Sequence, residues 1–254
     1  SPIAANITMN NSAAAAWVLP DSDSNNIRLW SVGEPNVLIM DHRSIDRIAL
    51  NLTGADSGQH STYIDASTMK GDLDITTTGV AAAKNDITLA KVSATVDVTV
   101  NGGVADTTLH FGRNRLSDIR HDVAASNLTL SVDNIGATDA RVMTFTSTTF
   151  TGWDGGALAP GLHYTGLRGA LTVDAGGGDK YNLAGSPAGI SSTVFNNGTD
   201  VRSSLYATNW QSTLYINDDW RAYFGQRILS NGTVERVKLL DGLANLNVRF
   251  SFNT

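Results

Sequence analysis

The sequence predicts an all-β protein, a single-stranded parallel β-helix (β-solenoid) with about 20–23 residues per coil, and three observations lead there. The first is composition. Of the 24 acidic residues all but Glu34 and Glu235 are Asp, Lys is scarce beside Arg, and 24 Gly accompany many Thr and Asn. Glu and Lys commonly fill exposed helix surfaces, so their scarcity leaves strands and tight turns. The second is alternation. Short apolar runs such as Ile48-Leu50-Leu52, Leu73-Ile75, Val96-Val98-Val100 and Leu128-Leu130-Val132 are separated by turn formers such as Asn101-Gly102-Gly103 and Gly176-Gly177-Gly178. The third is spacing. Leu50, Leu73, Val96, Ile119 and Val142 fall 23 residues apart, and Ile87, Leu109 and Leu130 follow at 22 and 21. After a break, Leu171, Val194, Leu214 and Val237 resume at 23, 20 and 23. One coil cannot bury its apolar row alone, whereas stacked coils share a continuous core.

Taken in chain order, residues 1–30 are expected to cap the open first coil, with the Ala13–Ala16 run as the best candidate for a short helix. The body then supplies about ten to eleven coils in one domain spanning 1–254. The segment 151–168, with Trp153, Gly155, Pro160, His163 and Tyr164, breaks the rhythm and reads as a loop excursion from one corner. The closing residues 245–254 are the candidate second cap. An antiparallel β-sandwich or jelly roll is the alternative, since it also uses short alternating strands and Gly-rich turns.

The formal net charge of −6 is spread along the chain, so nucleic acid is not an expected partner. No apolar run approaches the length that spans a bilayer, so membrane insertion is not expected. With no Cys, stability rests on packing and hydrogen bonds, and thiolate metal sites are excluded.

The segment Leu171-Thr172-Val173-Asp174-Ala175-Gly176-Gly177-Gly178-Asp179-Lys180-Tyr181-Asn182-Leu183 places a Gly-rich turn and an Asp between two short strands. It resembles repeats of large bacterial surface proteins, and it is similar to a degenerate calcium-binding repeat-in-toxin nonapeptide. The resemblance covers about 30 residues, with an echo at Asn196-Asn197-Gly198-Thr199-Asp200. It implies a solenoid, a secreted or cell-surface location, and calcium at Asp174 and Asp179; a plain corner turn is the competing reading.

Four groups carry candidate chemistry. Asp74, Asp97, Arg120 and Arg141 recur near the 23-residue rhythm, so stacked coils would set them in one charged column, either a glycan clamp or a solvated ladder. Trp210 and Trp220, with Asp218 and Asp219 beside them, would offer flat faces and hydroxyl acceptors to a sugar if outward, and would fill the coil if inward. Trp153 and Tyr164 extend that glycan-binding candidacy to the excursion. Asp41-His42-Arg43 and Arg120-His121-Asp122 each juxtapose a His with an acid and a base, but neighbours on a strand face opposite ways. The expectation is an exported structural or adhesive module of a secreted or cell-surface protein, recognising polysaccharide or other cell-surface glycans. The alternative is a polysaccharide lyase or glycoside hydrolase of the parallel β-helix type.

Overall fold

The computed structural model describes residues 4–10, 15–20, 26–31, 38–41, 45–54, 59–155, 159–198, 202–208, 210–217, 219–228, 234–243 and 246–248. In chain order the strands begin with β1 (Ala4–Asn10), β2 (Ala15–Pro20), β3 (Asn26–Ser31), β4 (Leu38–Asp41), β5 (Arg47–Gly54), β6 (Gln59–Ala66), β7 (Asp72–Gly79) and β8 (Lys84–Val92). They continue with β9 (Val98–Asn101), β10 (Asp106–Phe111), β11 (Val123–Ser126), β12 (Thr129–Asp133), β13 (Val142–Phe145), β14 (Thr149–Thr151), β15 (Gly161–Thr165) and β16 (Gly169–Ala175). The last are β17 (Lys180–Leu183), β18 (Ile190–Asn197), β19 (Ser203–Ala207), β20 (Thr213–Ile216), β21 (Asp219–Ile228), β22 (Val234–Leu243) and β23 (Leu246–Val248).

The chain alternates between two sheets and climbs as it does so. The first sheet runs β1-β5-β7-β9-β11-β15-β14-β13-β17-β19-β21-β22, and the second β23-β20-β18-β16-β12-β10-β8-β6-β2-β3-β4. Pairing between successive coils is parallel, from β2 through β20 in the second sheet, which excludes the sandwich. Antiparallel strands close three of the four sheet ends, with β3 and β4 beyond β2, β22 beyond β21, and β23 beyond β20, while at the fourth β1 pairs parallel with β5. Such strands block further parallel growth of the stack. Ala15 and Ala16 open strand β2, while Ala13 lies outside the described residues, so the expected helix is not what these alanines form. Among the described residues the one helical element is a 3-10 turn at Leu116–Asp118.

Inward side chains from both sheets make one apolar core. Register corrects the predicted spacing. In the first sheet Ile48, Leu73 and Val98 stack, as do Leu50, Ile75 and Val100, so the repeat there is 25 residues. The 23-residue series therefore slides two residues per coil. Two is the strand period, so Leu73 and Val96 still face inward, but by Val142 the series reaches a residue 57 % exposed. The Ile87–Leu109–Leu130 series is in true register. Farther on, Leu171 stacks on Thr193 rather than Val194, and Thr193 on Leu214.

Among its described residues, the segment 151–168 is not an outer loop. After β12 the chain enters the first sheet at β13, reverses into β14, reverses again into β15 beside β11, and then crosses to β16 beside β12. The first sheet thus gains two rungs that the second lacks, roughly 10 Å of extra length at about 4.8 Å per rung. Large side chains fill the resulting interior. Phe150 stacks on Phe145 at 4.2 Å and on Trp153 at 5.1 Å, while Phe111 meets Trp153 edge-on at 5.2 Å. Gly152 ends β14 with φ of +98°, and a Cβ there would sit 2.2 Å from the Val142 carbonyl oxygen, so only glycine fits.

Candidate functional site

Because side chains alternate along a strand, the series Ile87, Leu109 and Leu130 has an outward counterpart one residue later. Tyr63, Thr88, His110 and Ser131 stack in register on the outer face of the second sheet. At the corner after β10, Arg113 swings back so that its guanidinium lies 5.0 Å from the Tyr63 ring centroid. Gly112, with φ of +92°, makes that turn and donates its N–H to the Leu89 carbonyl at 3.0 Å. His110 Nε2 is 3.6 Å from Asp86 Oδ1, and Gln59 donates to the other carboxylate oxygen. Leu19 from β2 and Asp133 at the end of β12 complete the rim of a groove of about 660 Å³. The Asp133 carboxylate is anchored by the backbone N–H groups of Asn114 at 3.0 Å and Ile135 at 3.2 Å. The groove thus combines one aromatic face, a cation, an imidazole and carboxylates on a rigid sheet.

A second depression, of about 440 Å³, lies on the first sheet where the small outward side chains of β11 sit, Ala124 between Thr99 and His163 and Ser126 between Asn101 and Thr165. At the adjoining corner His121 Nδ1 is 2.8 Å from Asp97 Oδ1, and Asp122 Oδ1 accepts the Gly161 N–H at 2.7 Å. The Arg120-His121-Asp122 triplet therefore serves different rungs. The other triplet cannot be placed, because His42 and Arg43 lie outside the described residues.

The predicted charged column does not exist as a column. Asp74 stands beside Ala49 and Thr99, and its carboxylate pairs with Arg47. Asp97 precedes β9 and contacts His121, Arg120 is exposed in the corner after the 3-10 turn, and Arg141 lies before β13. Their 23- and 21-residue intervals miss the 25-residue register of these rungs, so the four residues scatter among strand, edge and corner. Ion pairs nonetheless link successive coils. Lys91 sits 3.3 Å from Asp65, whose charge holds its ammonium above the ordinary lysine pKa.

The aromatic candidates face the core. Trp153, Tyr164, Trp210 and Trp220 are each at most 2 % exposed. Three of them spend their polar ends inside: Trp153 Nε1 donates to the Ile119 carbonyl at 2.9 Å, Tyr164 OH to that of Thr146 at 2.6 Å, and Trp210 Nε1 to Thr193 Oγ1 at 3.2 Å. Burial pushes the Tyr164 phenol above its ordinary pKa. These rings present no face to a sugar, because the interior widened by β13–β15 and the coils after it consumes them. Asp219 begins β21 opposite Leu243, and Asp218 lies outside the described residues.

The two calcium candidates serve separate structural roles. Asp174 Oδ1 accepts from Asn196 Nδ2 at 2.7 Å, and Asn217 continues the ladder to Asn196 Oδ1 at 2.8 Å. Asp179 is fully buried and accepts from Asn134 Nδ2 at 2.7 Å, the Arg141 N–H at 3.0 Å, the Gly176 N–H at 3.4 Å and Tyr181 OH at 3.3 Å. Desolvation raises its pKa, with these donors opposing. The carboxylate pins a Gly-rich corner, and among the described residues no group of three His, Cys, Asp or Glu is arranged to hold a metal ion.

Comparison with known proteins returns no matching family model, no matching curated protein and no matching solved structure. What the chain establishes by itself is a parallel β-solenoid.

Proposed function

We propose that this chain is an exported structural and adhesive solenoid module of a secreted or cell-surface protein, and that the groove over Tyr63 is where it recognises a glycan. The observation carrying this reading is the stacking of Tyr63, Thr88 and His110 under Arg113, with Asp86 and Asp133 alongside. A sugar ring presents apolar C–H faces and a rim of hydroxyls that donate and accept. A half-buried aromatic ring with hydroxyl, imidazole, guanidinium and carboxylate groups around it matches both. The sheet holds these groups in fixed positions, which lowers the ordering cost of binding. The likeness of Leu171–Leu183 to bacterial surface repeats supports the exported location.

A glycan array probed with the intact chain, followed by calorimetric titration of hits, tests the reading. Tyr63→Ala and Arg113→Ala should each weaken binding at least tenfold, while His163→Ala on the other sheet should leave it unchanged. An empty array, or hits indifferent to both groove substitutions, would overturn it. The His110–Asp86 contact favours a second reading, in which the groove of a polysaccharide-degrading enzyme carries an acid–base pair. New reducing ends or unsaturated products, lost in His110→Ala, would establish that one instead.

A further inference from the structure

The core is not apolar throughout. Near the start of the second sheet, His60, Asn85 and Thr107 stack in register facing inward, each 2 % exposed. Asn85 stands out because neither Oδ1 nor Nδ2 of its amide has a hydrogen-bond partner in the protein. Beside it, Thr77 and Thr107 hydroxyls meet at 2.9 Å, and both reach the Gly102 carbonyl, at 2.7 and 3.2 Å. That carbonyl and the contact between the hydroxyls take up both hydroxyl hydrogens, so Thr107 Oγ1 keeps only acceptor capacity.

We propose that this corner is an internal hydration site, in which buried water completes the Asn85 amide and bridges it to the Thr107 hydroxyl. The chemistry selects the ligand. A metal cation would satisfy Oδ1 and leave the NH₂ group stranded, and an anion would do the reverse. Only a small molecule that both donates and accepts serves the amide's oxygen and nitrogen together, and water is the one small enough for a closed interior. The side chains two residues back on the same two rungs are the small Ala83 and Ala105, both fully buried. The water donates to Asn85 Oδ1 and Thr107 Oγ1 and accepts from Asn85 Nδ2, tying β8 to β10 inside the core as the ladder does at their edges. The site is independent of the outer groove.

Water–protein cross-relaxation on the deuterated, ¹⁵N-labelled full chain tests this. The expected result is a cross-peak from long-lived water to the Asn85 side-chain amide, lost in Asn85→Leu, with a melting temperature little changed in that variant. Asn85→Ser, which keeps a donor and an acceptor, should retain long-lived water at the neighbouring Thr107 hydroxyl or amide. Absence of the cross-peak in the unmodified chain overturns the proposal whatever the variants do. So does Asn85→Leu melting well above the unmodified chain, because relief of an unsatisfied amide would then be the whole effect.

Discussion

Phe150→Ala is the sharpest test of how the unequal sheets are reconciled. Phe150 belongs to the reversed strand β14 and is fully buried, stacked on Phe145 and Trp153 and edge-on to Phe111 at 6.5 Å. Truncating a core phenylalanine costs about 3–5 kcal/mol, the larger value where the walls cannot collapse. Here β14 is hydrogen-bonded on both sides, to β13 and β15, so its backbone cannot move inward to close the gap. The upper part of that range therefore applies, about 4–5 kcal/mol. For a chain of this size each kcal/mol lowers Tm by about 2–4 °C, which gives a drop of roughly 8–20 °C. Calorimetry with urea denaturation reads it, and Phe150→Leu should recover about half the loss. If Phe150→Ala melts within about 3 °C of the unmodified chain, the aromatic cluster is not filling a widened interior and the β13–β15 insertion does not need it.

Other substitutions separate the remaining contributions. Gly152→Ala puts a Cβ into the Val142 carbonyl at a positive φ, so urea titration should show a loss of more than about 1 kcal/mol, whereas Gly155→Ala, with negative φ and only a side-chain end nearby, should cost less. Arg47→Ala breaks an exposed pair with Asp74 and should leave Tm unchanged in low and high salt. Asp179 gives a pH signature. Its folded pKa lies above the ordinary 3.8, so its contribution is fully present below that value and is lost as pH rises through the folded pKa. The stability of the unmodified chain relative to Asp179→Asn should therefore decline as pH climbs from 3.8, and a difference that grows with pH would contradict the burial argument.

The solenoid was legible because a single coil cannot hide its apolar row, so the rows must recur. The inward faces of β5, β7, β8 and β10 follow directly from alternation at Leu50, Leu73, Ile87 and Leu109. The insertion was not legible. Its strands β13 and β14 span only four and three residues, and Thr144, Thr146, Thr149 and Thr151 suit a pleated outer face whichever way the strand runs. Nor did Trp153, Trp210 and Trp220 announce their side, since a tryptophan in a strand or turn serves core and ligand equally well. The burial of Trp153 followed from two rungs of extra sheet, a property of long-range pairing.

The candidate site shows why some stacked rows are readable and others are not. A strand placed one residue out of phase turns its apolar set toward water, which burial energy forbids, so the face of each strand is strongly specified. A slip of two residues keeps the face and changes only which rung neighbours meet. Nothing in an alternating sequence penalises it. The 25-residue repeat of the first sheet and the 23-residue series differ by that silent slip, and the charged column built on the latter came apart, Asp74 from Asp97 first. Where the register was true, at Ile87, Leu109 and Leu130, a step of one residue yields the outer row Thr88, His110 and Ser131, of which Thr88 and His110 line the groove. An outer site on a solenoid is thus only as readable as the phase between coils, which is set by the corners that Gly102, Gly112 and Asp179 hold, and not by the strands that carry the site.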